Sequence, residues 1–550
     1  MNGKVTKVHP DDNVLVALSN LEDGEIVSYN GTEFRISGRV PAKHKFVTED
    51  LPVEGEIKMY GVLVGKALKP IPRGGVISTL NTHHAASEFS VKDRKLNWNP
   101  PDVSAFRERT FQGFHRADGK VGTANYWLVI PLVFCENRNL EVLREALVNE
   151  LGYGRHQNNR LEVNNLISMY RDGKGIDEML SAPLETKPEE VRQQQLFPNV
   201  HGIKFLTHDG GCGGTRQDAQ ALCGLLAGYI THANVAGATV LSLGCQNAQV
   251  QMLRDEIQKR DPAFVKPLYI LEQQKIGTES ALMSLAIRQT FAGLVQANKI
   301  TRQPASLSKL CIGLECGGSD GFSGISANPA IGYTSDLLVA LGGSVILSEF
   351  PELCGVEQNL SDRCVNESGA ERFGHLMQLY ARRAKESGSG FDMNPSPGNI
   401  KDGLITDAIK SAGAAKKGGT SPVVDILDYP EMYSKPGLNL LCTPGNDVES
   451  TTAEVGSGAN IVLFTTGLGT PTGNPIAPVV KISTNTALFN KMHDIIDINT
   501  GSIIEGTETI EQAGERILDF VIRVASGEIL VAAVRHGQDD FIPWKRGVSL

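Results

Sequence analysis

From Tyr126 onward the chain alternates short apolar runs with helical stretches, a pattern that points to a layered α/β fold with a largely parallel sheet. The runs that read as strands are 126–134, 203–206, 238–243, 267–271, 310–314, 344–348, 423–427, 438–441, 460–464 and 479–482. Between them the helical period shows. Ala219, Leu222, Cys223 and Leu226 fall at i, i+3, i+4 and i+7, so one face is apolar and Cys223 reads as core.

The first 75 or so residues follow a different rule. Short β-like runs at 14–18, 33–36, 56–60 and 62–67, punctuated by Gly, Asp and Pro, predict a small all-β module. The polar stretch 90–102 carries Pro100 and Pro101 and predicts an extended linker. The expected fold class is therefore multidomain α/β. It comprises an all-β domain over 1–87, a linker over 88–105, a central α/β domain over 106–300 and a C-terminal Rossmann-like α/β domain over 301–550. A chain of 550 residues exceeds what one core accommodates, which agrees with this division. Residues 387–403, rich in Gly, Pro, Ser and Asn, predict a loop that is either a functional lid or disordered.

Composition narrows the function. No apolar run approaches the roughly 20 residues of a membrane span, and the first residues lack a secretory signal, so a cytoplasmic protein without a membrane role is expected. A net charge of -9 argues against nucleic acid as a partner. An acidic protein that handles an anionic substrate must instead gather local positive charge in its cleft, from a metal, from Lys and Arg, or from helix N-termini. The nine cysteines, without the spacing of a disulfide scaffold, read as reduced thiols.

Four of those cysteines stand just beyond predicted strands: Cys135, Cys212, Cys245 and Cys316. Ligands of open α/β sheets bind at the carboxyl ends of strands, so these thiols are candidates to share one site and ligate iron or zinc. Inert strand-end packing is the competing reading for each. His208 and Asp209 precede Cys212 in THDGGCGG and add N and O donors, while Glu349 and Glu352 in LSEFPELCG follow another strand as candidate ligands or bases. Lys481, inside the apolar run APVVKIST, is either a snorkelling edge lysine or a partner for a substrate carboxylate. In the first domain His44, His83 and His84 are candidate metal-type side chains. Neither a phosphate loop nor a strand-linked GxGxxG motif is present, and no CxxC motif supports a thiol redox enzyme.

At GLECGGSDGFSGISANPAIG (313–332) the sequence resembles the altronate and galactarate dehydratase family. RADGKVGTAN (116–125), LGCQN (243–247), NPSPGN (394–399), PGLNLLCTPGND (436–447) and FTTGLGTPTGNP (464–475) extend the likeness in order. HPDDNVLVALSNL and HKF are similar to the family's opening SAF, or β-clip, domain. GLEC and PGLNLL…PGND stand closer to the altronate branch, and GYTSDLLV is also similar to the galactarate branch. Two stretches depart from the family: ISTLNTHH, whose histidines follow the Asn, and GGTRQD after Cys212.

The resemblance implies a divalent-metal-dependent dehydration of D-altronate to 2-keto-3-deoxy-D-gluconate, with Fe(2+) or Mn(2+) as metal and a homodimeric assembly. An iron-sulfur cluster with one open iron is the alternative cofactor. The metal would be held among Cys135, Cys212, Cys245 and Cys316, with His208 as base and Lys481 or Arg116 on the substrate carboxylate. Asn125, Ser319, Asp320, Asn446 and Asp447, all inside the matching motifs, would bind the sugar acid. Readings from other classes are a thiol redox enzyme and a non-catalytic sugar-binding protein.

Overall fold

The computed structural model describes residues 3–87, 89, 96, 98–154, 160–161, 163–186 and 195–549, so residues 88, 90–95 and 97 of the expected linker lie outside the described residues. The first domain is all-β. Val5–Thr6, Val14–Ala17 and Lys45–Val47 form one antiparallel sheet; Glu56–Met59, Val62–Ala67 and Thr82–His83 form another. A hairpin of Ile26–Tyr29 and Thr32–Arg35 turns at Asn30 and Gly31, both with positive φ, as tight two-residue hairpins require.

Two parallel sheets follow. In the central one, β1 (Tyr126–Pro131), β2 (Gly202–Phe205), β3 (Val235–Ser242) and β4 (Leu268–Glu272) lie in the order β2-β1-β3-β4. The C-terminal one holds β5 (Cys311–Cys316), β6 (Ser344–Leu347), β7 (Val423–Asp428), β8 (Gly437–Cys442), β9 (Ile461–Thr466), β10 (Val479–Ser483) and β11 (Ile498–Asn499). Their spatial order is β7-β8-β6-β5-β9-β10-β11. Helices on both faces bury these strands, which is why β1, β3, β5, β8 and β9 are buried throughout instead of alternating. From β5 the chain builds outward through β6 to one side, then returns to build β9, β10 and β11 on the other. A crevice opens at the carboxyl ends where that direction reverses.

The domains are firmly joined. Gly228, on α1 (Arg216–Thr231), approaches the end of a C-terminal helix so closely that a Cβ on it would lie 2.1 Å from the Gly456 carbonyl. Beside it Tyr229 Oη donates to the Thr452 carbonyl at 3.2 Å. The buried Lys45 of the first domain donates through Nζ to the Gly403 carbonyl at 2.7 Å, and Thr406 Oγ1 donates to the Val64 carbonyl at 2.9 Å. One apolar core runs from Val14 through Leu225 to Val531.

Residues 387–403 are more regular than a Gly, Pro and Ser-rich stretch suggests. They contain short helices at Phe391–Met393 and Pro397–Lys401, the second nucleated by reciprocal capping between Ser396 and Asn399. Among the described residues no helix is long and apolar enough to cross a membrane.

Because the α1 contact is backbone against backbone, Gly228→Ala is expected to cost about 1–3 kcal/mol through overpacking. Urea denaturation should show an earlier midpoint; an unchanged midpoint would mean that the two domains are not held by this contact.

Candidate active site

The reversal crevice gathers ionisable side chains that sequence distance separates. β5 ends in Glu315 and Cys316. β6 runs into Ser348, Glu349 and a single turn containing Glu352. Helix α2 (Asp407–Ala415) carries Lys410, and the turn after it carries Lys417. Helix α3 (Asp447–Gly456) opens on Asp447 and holds Glu454.

Their contacts form one network. Cys316 Sγ donates to Glu352 Oε2 at 3.1 Å and lies 3.4 Å from Glu349 Oε2. Lys417 Nζ pairs with Glu349 Oε2 at 3.0 Å, and Lys410 Nζ with Glu352 Oε1 at 2.6 Å. Lys410 also donates to Asn394 Oδ1 at 3.0 Å. Deeper in, Ser348 Oγ lies 3.2 Å from Glu315 Oε2 and 2.7 Å from Glu454 Oε1. Gly317 leaves room for Asp447, since a Cβ there would stand 2.1 Å from Asp447 Oδ2. Glu349 has φ 63 and ψ 60, a left-handed conformation that costs a non-glycine residue energy and that surrounding contacts must hold in place. The Thr443 hydroxyl does so by accepting from the Glu349 amide at 2.8 Å.

Burial and charge divide the acids by role. Burial, reinforced by Glu349, pushes Glu315 well above the usual carboxylate range, and burial takes Glu454 up to about 8. In both, burial favours the neutral carboxyl over the carboxylate. At Glu352 burial opposes ionisation, but Lys410 and Lys417 outweigh it and the carboxylate is favoured. Glu349 is raised by burial and by Glu352 despite Lys417. The two lysines resist the pull of burial because the surrounding acids hold their charge. Burial and the nearby Glu349 and Glu352 push Asp447, at the half-exposed edge, up to about 7. Burial, with Glu349 and Glu352, also raises the Cys316 thiol.

Of the residues singled out from sequence, Cys316, Glu349, Glu352 and Asp447 meet here. Ser319, Asp320 and Asn446 border the crevice without joining this network, and the remaining candidates are elsewhere. Among the described residues, Cys316 has Glu349 and Glu352 as its ligand-type neighbours, and none of the other three candidate cysteines joins that group. Cys135, Cys212 and Cys245 are exposed thiols on the loops after β1, β2 and β3. The Phe134 amide donates to the Gly210 carbonyl at 3.1 Å and the Asn247 amide to the Gly211 carbonyl at 2.9 Å, so these loops are neighbours. Beside them a cavity of about 460 Å³ is lined by His208, Cys212, Asp218 and Trp544 among others.

His208 is buried with both ring nitrogens spent on backbone, Nε2 against the Pro131 carbonyl at 2.8 Å and Nδ1 accepting from the Gly210 amide at 3.1 Å. Burial lowers its pKa, and no ring nitrogen is left for a substrate. Lys481 lies within the sheet between β9 and β11, where burial pulls it down to about 8 and Nζ donates to Gln538 Oε1 at 2.6 Å. Arg116 directs Nε to the Ala233 carbonyl at 2.7 Å and Nη2 to Asn125 Oδ1 at 3.0 Å. Asn125 in turn donates to the Asn199 carbonyl at 2.7 Å. Both precede β1, at the amino end of the sheet, opposite to where strand-end ligands sit.

Ser319 and Asp320 leave β5. The Ser319 carbonyl accepts from Asn399 Nδ2 at 2.7 Å, and Asp320 Oδ2 pairs with Lys43 of the first domain at 3.0 Å. Asn446 caps α3, accepting from the Val448 and Glu449 amides at 3.2 and 3.1 Å.

Lys410 and Lys417 did not stand out in the sequence. Their signal is there: two lysines seven apart, hence on one helical face, in the small-residue stretch DAIKSAGAAKKGG.

Three family models match successive parts of the chain. They are the altronate/galactarate dehydratase SAF domain over residues 3–85, the D-galactarate dehydratase/altronate hydrolase second domain over 113–298, and the D-galactarate/altronate dehydratase C-terminal domain over 307–549. Similar proteins include the altronate dehydratase of Bacillus subtilis (strain 168), 32% identical, and that of Escherichia coli (strain K12), 33% identical, each match covering 99% of both chains. Galactarate dehydratase (L-threo-forming) of Escherichia coli (strain K12) is 30% identical over 95% of this chain and 92% of its own.

Removing Lys417 leaves Glu349 buried without its counter-charge. Lys417→Met should therefore destabilise the protein by about 3–5 kcal/mol. Adding Glu349→Gln should restore much of that loss, and calorimetric melting of the two variants checks it; equal melting of single and double variants would deny the pairing.

Proposed function

The chain belongs to the altronate/galactarate dehydratase family, and on that premise we propose that it removes water from a sugar acid, with D-altronate as substrate and 2-keto-3-deoxy-D-gluconate as product. The observation that carries this reading is the buried set of Cys316, Glu349, Glu352, Lys410 and Lys417 at the sheet's reversal point, edged by Asp447. A polyhydroxy carboxylate needs cations for its charge and a base near neutrality for its C2 hydrogen, and both are present.

A divalent cation fits the donor set. One atom each from Cys316, Glu349 and Glu352 lies within 4.8 Å of the other two, all three side chains being buried. Such a mixed thiol and carboxylate set suits Fe(2+) or Mn(2+). Bound there, the ion would supply Lewis acidity toward the substrate carboxylate and 2-hydroxyl.

The chain's own groups do the rest. Lys410, at the Asn394 side of the crevice, holds the substrate carboxylate. Lys417 keeps Glu349 in its strained position. Asp447 as carboxylate takes the proton from C2, and the acid so formed returns it to the 3-hydroxyl, which leaves as water. The enol that remains ketonises. No net proton is gained or lost.

Galactarate is the nearest alternative substrate, given similar identity to that branch. For the cofactor, the three exposed thiols Cys135, Cys212 and Cys245 on adjoining loops favour a second reading, an iron-sulfur cluster. Visible absorbance of anaerobically prepared protein that vanishes with their serine replacement would establish it, and a colourless active enzyme would end it.

Metal-reconstituted protein offered a panel of aldonates and aldarates should form 2-keto-3-deoxy acid fastest from D-altronate; silence on all of them would refute the dehydratase reading. Because the base must be ionised, kcat should climb with pH through about 7. Asp447→Asn should lower kcat by at least about 100-fold and abolish that limb.

A further inference from the structure

A second ligand-type group joins the first domain to the C-terminal one. His84 follows the last strand of the first domain, Cys354 follows the turn that carries Glu352, and Asp407 opens α2. One donor atom of each lies within 4.8 Å of the others, and the imidazole Nδ1 is in direct contact with Asp407 Oδ1.

The fold goes to some length to bring them together. Gly355, at φ 89, is packed between the two domains: a Cβ on it would lie 3.2 Å from Ala86 Cβ and 3.3 Å from Ala408 Cβ. The Cys354 backbone is thereby held against both the tail of the first domain and α2. Thr406, one residue before Asp407, ties α2 to the first domain again through the Val64 carbonyl.

The surrounding charge is one-sided. The ionisable groups that act on Cys354 are Glu357, Asp407 and Asp392, all acidic, and the same three act on His84. A thiol, an imidazole and a carboxylate, with further acids close by, form a donor set for a borderline-soft divalent cation and would gain from its charge.

We propose that His84, Cys354 and Asp407 form a structural zinc-type site, distinct from the catalytic crevice, in which a bound divalent ion clasps the first domain to α2. A water would complete the coordination. The consequence reaches the active site, because α2 also carries Lys410. Neither the dehydratase reading nor the catalytic cation is needed for this site, and it stands or falls separately from them.

The test uses full-length protein carrying Cys135→Ser, Cys212→Ser and Cys245→Ser, which removes the exposed thiols, stripped by chelator and titrated with Co(2+) and with Zn(2+). Adding Cys354→Ser is expected to remove one bound equivalent and its thiolate-to-cobalt charge-transfer absorption, and to abolish a Zn(2+)-dependent rise in melting temperature. His84→Gln should do the same to the stoichiometry and the melting shift, and it carries the test if Cys354→Ser does not fold. Unchanged stoichiometry in the folded variants, or a parent whose melting temperature Zn(2+) does not raise, would overturn the proposal.

Discussion

The rest of the structure is arranged around two buried ion pairs, Lys417 with Glu349 and Lys410 with Glu352. Taking four charges out of water costs several kcal/mol per ion, and only good mutual geometry offsets it. That geometry draws on distant parts of the chain. The carboxylates sit beyond β6, the lysines on α2 and the turn after it, and the Cys316 thiol at the end of β5 bridges the two acids. A fold built for stability alone would place apolar side chains there. The energetic cost, the strained Glu349 backbone and the carboxyls of Glu315 and Glu454, which burial pushes up beneath it, mark the crevice as a functional-site candidate.

Parallel topology explains why these groups meet. Reversal of strand order at β5 opens a crevice at the carboxyl ends, and the first domain covers its flank through Lys43 on Asp320 and Lys45 on the Gly403 carbonyl. The β-rich domain is therefore part of the crevice wall and not a detached appendage. Its hold on α2 through Thr406 links the position of Lys410 to the docking of that domain.

The architecture was largely legible in the sequence, because strands buried on both faces are continuous apolar runs and the ten such runs all correspond to strands of the two parallel sheets. The short edge strand Ile498–Asn499 and the antiparallel ribbon of Thr110–His115 with Gln303–Ser306 were not, since two to six residues with little apolar pattern leave no period to read. The site was legible only in part. Strand-end position found Cys316, and the Glu349 and Glu352 pair stood out beyond β6, but position alone could not say which sheet a cysteine belongs to. It therefore grouped Cys316 with Cys135, Cys212 and Cys245, which end strands of the other sheet. Arg116, Asn125 and His208 lie within or beside recognisable motifs, yet their polar atoms close backbone hydrogen bonds, a use that a linear sequence does not distinguish from substrate contact.

The central claim is that the chemistry takes place at the reversal crevice of the C-terminal sheet. The most direct measurement is a crystal structure of the Asp447→Asn protein soaked with D-altronate. The account predicts aldonate density over Cys316 and Glu352, with its carboxylate at Lys410 and C2 facing the substituted side chain at the start of α3. Density confined to the cavity beside Cys212 and Trp544, with the crevice unchanged, would contradict it.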